Sequence, residues 1–208
     1  MSPRHTSTAA LAGLLAAVAC AASGCASSAS APPADTASIA ERAAQLGVDP
    51  GLVFTTSVEG YDLAPQSVSP IDEAGLTATW FDESTSAMIS IRTSPGAPTA
   101  ESCAAMPLWD APGEAVTCTE ESGLWHREGG GTHEFLAARD DATILVLGGN
   151  GAPVDDLRAA AEAVRVPSKA DLERLFADAP TDRQTPVERG DLPSHGDGAP
   201  IQPTGPGG

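Results

Sequence analysis

Residues 133–148 read HEFLAARDDATILVLG, and this stretch decides the fold that the sequence predicts. Its two halves are rich in aliphatic and aromatic residues, and the Asp140-Asp141 pair between them is typical of a tight turn. The stretch therefore predicts a β-hairpin with strands at 133–139 and 142–148. Because residues 144–147 are apolar on both faces, we expect the second strand at the centre of the sheet.

The periodicity of two extends upstream of this hairpin, in segments rich in Val, Ile, Thr and aromatic residues. The strands predicted there are 52–58, 75–81, 86–93 and 122–128. The connections at 82–85 and 129–131 are short enough for hairpins. The sheet should therefore be mainly antiparallel.

Helical periodicity lies on both sides of the strand-rich region. It predicts a helix at 37–46, a second helix that begins near Pro153, and a short third helix from the capping-box-like Ser168 to about Ala177. The sequence thus predicts the α+β class: a single domain at residues 37–178, with the N-terminal and C-terminal helices packed on one face of the sheet.

The N-terminus has the features of a lipoprotein signal peptide at residues 1–24. A short basic start precedes an uncharged, alanine-rich stretch, and the small residues before Cys25 resemble the motif at which lipoprotein signal peptides are cleaved. Cys20 is a rival site. Cleavage before Cys25 leaves an even pair of cysteines in the mature chain, whereas cleavage before Cys20 leaves an odd one, so we expect acylation at Cys25.

Two segments have the composition of unstructured chain. Residues 25–36 are rich in Ala, Ser and Pro and are expected to be a flexible tether, and residues 179–208 are expected to be a disordered Pro/Gly-rich tail. The formal net charge is −17, which repels nucleic-acid phosphates and anionic lipids. We therefore expect no nucleic-acid partner, and attachment to the extracytoplasmic face of the cell membrane only through acyl chains such as palmitate on Cys25.

Cys103 and Cys118 flank a stretch that contains proline and glycine. A bond between them would contribute about 3 kcal/mol by restricting the unfolded chain. A redox or metal-binding pair is the alternative, but such pairs usually have Cys-x-x-Cys spacing. We expect a structural disulfide.

The strongest metal candidate consists of His126, Glu128, His133 and Glu134, which surround a triple-glycine turn. If Gly130 centres that turn, strand alternation points the two histidines to opposite faces. A zinc-protease motif also begins at His133, but its second histidine is missing and the segment lies in a predicted strand. The expectation is solvated hairpin residues and no metal site.

No other motif names a reaction. The glycine loop at 148–151 follows a strand and precedes a helix, as phosphate-binding loops do, but it lacks the third glycine and the lysine of those loops. There is no Gly-x-Ser-x-Gly elbow. We therefore expect a plain loop, no catalytic residue and no cofactor.

The few aromatic side chains are expected to be core anchors, and a sugar- or peptide-binding groove is the alternative. The set is Trp80, Phe81, Trp109, Trp125 and Phe135.

Three features together resemble the small lipoproteins of streptomycete-type actinobacteria: the segment Ala22-Ser23-Gly24-Cys25, the Cys103 and Cys118 pair, and the Pro/Gly-rich ending. The resemblance implies a location and no activity. The leading hypothesis is a non-catalytic module that binds a protein or envelope component. A carrier of a lipid or other apolar ligand and an enzyme of unknown reaction are the alternatives. A large apolar cavity between sheet and helices would favour the carrier, and a polar cleft at His126 or at acidic residues would favour the enzyme.

The lipid anchor is tested by Cys25→Ala. We expect this variant to leave the membrane or to remain an unprocessed precursor, because the acylated cysteine is the expected attachment. Cys20→Ala is the matched control and should stay mature and membrane-bound. Cell fractionation with immunoblotting measures both, and a mature, membrane-bound Cys25→Ala protein would refute the anchor.

Overall fold

The computed structural model describes residues 31–72 and 74–179. The predicted signal peptide, Cys25 with the first part of the tether, and the predicted tail from residue 180 lie outside the described residues. Within the described ranges, no helix is long and apolar enough to cross a membrane.

Eight strands form one antiparallel sheet in the described part of the chain. The strands are β1 (Asp62–Leu63), β2 (Ser69–Ile71), β3 (Gly75–Phe81), β4 (Met88–Pro95), β5 (Thr117–Glu121), β6 (Leu124–Gly129), β7 (Thr132–Arg139) and β8 (Ala142–Gly149). Their order is β1-β3-β4-β8-β7-β6-β5, and β2 also pairs with β3. The mainly antiparallel sheet is thus confirmed, and the predicted β7–β8 hairpin lies in its middle.

Four α-helices accompany the sheet within residues 31–72 and 74–179. They are α1 (Thr36–Leu46), α2 (Ala100–Ala105), α3 (Val154–Glu162) and α4 (Lys169–Leu175). The carboxylate of Asp35 accepts the Ser38 N–H at the start of α1, and left-handed Gly47 ends that helix. Helices α1, α3 and α4 occupy the three segments in which the sequence predicts helices, whereas α2 was not predicted.

One hydrophobic core contains residues of α1, α3 and α4 together with side chains of the sheet. The sheet supplies Leu76, Ala78, Trp80, Ile89, Ile91, Phe135, Ile144 and Val146. Strand alternation and the pairing register put these side chains on one face. Each large apolar side chain that is fully buried there contributes about 1.5–3 kcal/mol.

A second, smaller set of buried apolar side chains lies outside that core. Leu136 is fully buried and alternates with Phe135, so it points to the opposite face of the sheet. Cys103 and Leu108 are buried as well and do not belong to the core cluster. Because α2 contacts β5 and β6, the segment that contains α2 covers part of this second face.

The prediction of a strand at residues 52–58 is wrong. Residues 50–52 form a short 3₁₀ turn, and the following chain makes a single antiparallel bridge, between Thr55 and Arg165. Residues 52–56 are all buried, and the Thr56 hydroxyl donates to the carbonyl of Ala160 in α3 at 2.5 Å. The apolar run therefore reflects burial beside α3 and not membership of the sheet.

Several boundaries also differ from the expected ones, and β4, expected at 86–93, covers Met88–Pro95. The segment predicted as one strand at 122–128 begins with a left-handed Ser122-Gly123 turn that joins β5 to β6, and β5 was not predicted. Pro33, expected in the tether, forms an antiparallel bridge with Ser168, and the Ala34 N–H donates to the Pro167 carbonyl. The folded part of the chain therefore starts before α1.

The start of α4 is held by a buried carboxylate. Asp171 accepts the Ser168 N–H at 3.0 Å and the Ser168 hydroxyl at 2.7 Å, and the guanidinium groups of Arg165 and Arg174 lie at 3.2 and 2.5 Å. Burial alone would raise the pKa of Asp171, but these bonds outweigh it and hold the pKa below its ordinary 3.8. The capping box expected at Ser168 is confirmed.

This carboxylate makes part of the stability depend on pH. A lowered pKa contributes stability above the ordinary value, and that contribution is lost as the pH falls through the folded-state pKa. We expect Asp171→Asn to cost about 1–3 kcal/mol at pH 7 and the difference from wild type to shrink below pH 3.8. Urea denaturation at pH 7 and at a pH below 3.8 measures the free energy of unfolding of both proteins. Glu173→Gln in the same helix is the control, and a difference that does not vary with pH would contradict the assignment.

Candidate functional site

The expected disulfide between Cys103 and Cys118 is present, with 6.2 Å between the Cα atoms. It joins α2 to the edge strand β5 and closes residues 103–118 into what we call the tryptophan loop, after the exposed Trp109 that it carries. The loop lies on the second face of the sheet.

A buried ion pair holds the loop to the sheet. Arg127 of β6 and Glu134 of β7 lie directly opposite each other, and their Nη1 and Oε2 atoms are 2.6 Å apart. Both side chains are almost fully buried, with 0% and 1% of their surface exposed. The other carboxylate oxygen of Glu134 accepts the backbone N–H of Trp109 at 2.6 Å. The expectation that Glu134 is a solvated hairpin residue is therefore wrong.

Arg127 reaches the loop from the same side. Its Nε donates to the carbonyl of Cys103 at 3.2 Å, and its Nη2 donates to the carbonyls of Met106 and Pro107. The carbonyl of Cys103 lies within α2, and those of Met106 and Pro107 directly follow its end. One guanidinium thus satisfies backbone groups that the loop buries.

Burial governs the electrostatics of this pair. It raises the pKa of Glu134, while the N–H of Trp109 and the charge of Arg127 act in the opposite direction. A lone carboxylate at this depth would be strongly destabilising. The pair is tolerated because both charges are matched and hydrogen-bonded.

Trp109 is 54% exposed, so the expectation that it is a core anchor is wrong. Leu108 takes the buried position beside it. The guanidinium carbon of Arg92 in β4 lies 4.0 Å from the indole centroid, a cation–π contact. Trp80 and Phe135 are in the core, as expected.

Trp109 borders a mostly apolar groove of about 280 Å³ on the second face. Its apolar walls are Ile71, Met106, Pro107 and Leu145, and its polar groups include Arg92 and Asp72. Met106 is 39% exposed. The groove is open to solvent and is therefore a surface site, not a cavity of the core.

The histidine hairpin differs from the sequence expectation. Gly130 and Gly131, with φ of 58° and 82°, form a two-residue turn, so β6 and β7 pair with Glu128 opposite His133. This register puts His126 and His133 on the same face, with Nε2 and Nδ1 3.1 Å apart. The expected opposite orientation is wrong because the turn is centred between the two glycines and not on Gly130.

Aromatic stacking orients the two imidazoles. The ring of His126 lies between Phe135, 4.7 Å away, and His133, 5.2 Å away. Burial lowers the pKa of His126, and the neighbouring His133 lowers it further. A carboxylate oxygen of Glu128 lies 3.7 Å from Nδ1 of His133. One imidazole nitrogen each of His126 and His133 and a carboxylate oxygen of Glu128 thus all lie within 4.8 Å of one another.

A polar cleft of about 210 Å³ adjoins the hairpin. It is lined by His133, Asp110, Asn150 and neighbouring backbone of the 148–151 loop. Asn150 and Gly151 have the left-handed conformation expected of a plain loop. The cleft borders His133 but not His126.

Comparisons with protein-family models, with curated proteins and with solved structures find no match to this chain. Arg127 was not predicted from the sequence as a site residue. Arg127 and Glu134 lie at equal distances from the two-residue turn, and this equal spacing is the signal that would have paired them.

The buried pair is tested by Glu134→Leu. This change leaves the charge of Arg127 buried without its partner, and we expect a loss of about 3–5 kcal/mol in the free energy of unfolding. Glu120→Leu, at an exposed position of β5, should change it by about 0.5 kcal/mol or less. Urea denaturation measures both. Equal effects of the two substitutions would show that the pair does not hold the loop.

Proposed function

We propose that this protein is an extracytoplasmic lipoprotein, anchored through acylated Cys25, that acts as a non-catalytic binding module of the cell envelope. The signal-peptide features, the residues before Cys25 and the resemblance to streptomycete-type lipoproteins support the location. The binding surface is the groove beside Trp109.

One observation carries this proposal: a large aromatic side chain is exposed on a loop that is fixed from two sides. The disulfide closes the loop, and the Arg127–Glu134 pair binds its backbone at Trp109. Tryptophan and arginine are the residues that contribute most at protein interfaces. A side chain already held in place loses little conformational freedom on binding, which favours affinity.

The chemistry of the groove indicates the partner. Its walls accept an apolar side chain, and Arg92 places a positive charge at its border in a protein of net charge −17. A partner segment with an apolar residue next to a carboxylate that pairs with Arg92 would match both features, and the negative charge of Asp72 in the same groove makes a second acidic residue unfavourable. We therefore propose an extended protein segment of this composition as the occupant.

The packing supports a carrier of a lipid less well than it supports a binding module. We infer that α1, α3 and α4 together close the core face of the sheet, where Ile89, Ile91 and Phe135 are fully buried. A mostly apolar groove of about 430 Å³, lined by Leu63, Pro65 and Ala177 among others, is open to solvent. The groove beside Trp109 lies on the other face and has a volume near the lower limit of ligand pockets, which is about 300 Å³. A shallow groove of this size fits one or two side chains better than an acyl chain.

The proposed surface is tested with a peptide library displayed on phage and selected on the purified protein. We expect selected peptides to carry an apolar residue beside Asp or Glu, and Trp109→Ala to weaken their binding about tenfold or more. Arg92→Gln should weaken it and reduce its dependence on salt. Kd values from fluorescence polarisation measure these effects.

Val154→Ala is the matched control, because Val154 is an exposed apolar residue at the start of α3 and not in the groove. It should leave the Kd unchanged. Peptides that bind the Trp109→Ala protein as well as wild type would overturn the proposed surface, and so would the selection of no peptide at all.

A further inference from the structure

The side chains of His126, Glu128 and His133 form a cluster on the core face of the β6–β7 hairpin, and His133 shares the polar cleft with Asp110 of the tryptophan loop. The register that brings them together is fixed by the two-residue turn. The cluster does not take part in the proposed binding surface. An inference about it is therefore independent of the proposed function.

The spacing of the two imidazoles matches that of metal ligands. Two nitrogens that each lie about 2.0–2.1 Å from a tetrahedral zinc ion are about 3.3–3.4 Å apart. The observed separation of His126 Nε2 and His133 Nδ1 is 3.1 Å, and Glu128 Oε2 lies 3.7 Å from the same Nδ1. Small side-chain movements would bring all three ligand atoms to bonding distance of one ion.

The cluster also has the electrostatic character that a cation requires. His126 is held by stacking against the buried Phe135, so one ligand is already oriented. Arg158, whose guanidinium carbon lies 5.0 Å from the centroid of the Phe135 ring, is paired with Glu121 at 2.9 Å. Its charge is therefore matched, and Glu128 contributes the net negative charge of the cluster.

We propose that His126, Glu128 and His133 form a binding site for a divalent transition-metal ion of the zinc type. Imidazole nitrogen suits zinc, copper and nickel, whereas magnesium and calcium prefer oxygen ligands. Three protein ligands leave the fourth position of a tetrahedral ion for water or for an external group. The half-exposed Glu128 keeps that position accessible to solvent.

The test is a calorimetric titration of the purified, chelator-treated full-length protein with ZnCl₂. We expect one equivalent of zinc to bind, and a large excess of Mg²⁺ to leave the zinc affinity unchanged. His126→Ala and His133→Ala should each weaken binding about 100-fold or more, because each removes one of three ligands. Thermal unfolding should show a zinc-dependent rise in Tm that the variants lack.

His195→Ala is the matched control, since it removes a histidine that is remote in sequence from the hairpin and should leave zinc binding intact. Glu128→Gln and His133→Asn change the more exposed members of the cluster, and they provide the test if His126→Ala does not fold. Absence of saturable zinc binding by wild type would overturn the proposal. Zinc binding that survives both Glu128→Gln and His133→Asn would overturn it as well.

Discussion

The two-residue turn at Gly130-Gly131 determines which side chains of β6 and β7 share a face. Both glycines are left-handed, and the tight turn puts Gly129 opposite Thr132. From that point each step along the ladder alternates faces, so Arg127 and Glu134 meet on one side of the sheet. A turn longer by one residue would separate them, because a slip of one residue reverses every side chain of the strand.

This register allows the buried Arg127–Glu134 pair, and the pair holds the tryptophan loop in place. Two charges removed from water are costly, and their mutual attraction offsets that cost only when the remaining donors and acceptors are also satisfied. Here the satisfying groups are backbone atoms of residues 103–109. The loop is therefore held by hydrogen bonds to its main chain. The side chain of Trp109 is not needed to hold it.

The sequence predicted the centre of the sheet well and its margins poorly. The predicted strand 75–81 coincides with β3, and the hairpin at 133–148 was placed within one residue of β7 and β8. These strands have long apolar patterns set by burial on one or both faces. The short strands β1 and β2 have no such pattern, because pairing alone defines them.

The site was harder to predict than the fold, for a physical reason. A triple glycine allows turns centred on Gly130 or between Gly130 and Gly131, and local sequence does not choose between them. Pairing partners decide: the observed register places Arg127 opposite Glu134, whereas a turn centred on Gly130 would place Arg127 opposite His133 and Glu134 opposite His126. The favoured register follows from a contact between strands, which a reading of periodicity does not examine.

The location proposed for the protein bears on how a shallow groove could function. A groove of about 280 Å³ admits few side chains, so its affinity for a free peptide should be modest. The proposed lipid anchor would confine the module to the membrane surface, where a partner held at the same surface would be met at a raised effective concentration. Weak contacts then suffice for occupancy, and a fixed loop with one exposed tryptophan is adequate recognition. A deep pocket is unnecessary under these conditions, which agrees with a core in which side chains of the sheet and of α1, α3 and α4 form one buried cluster.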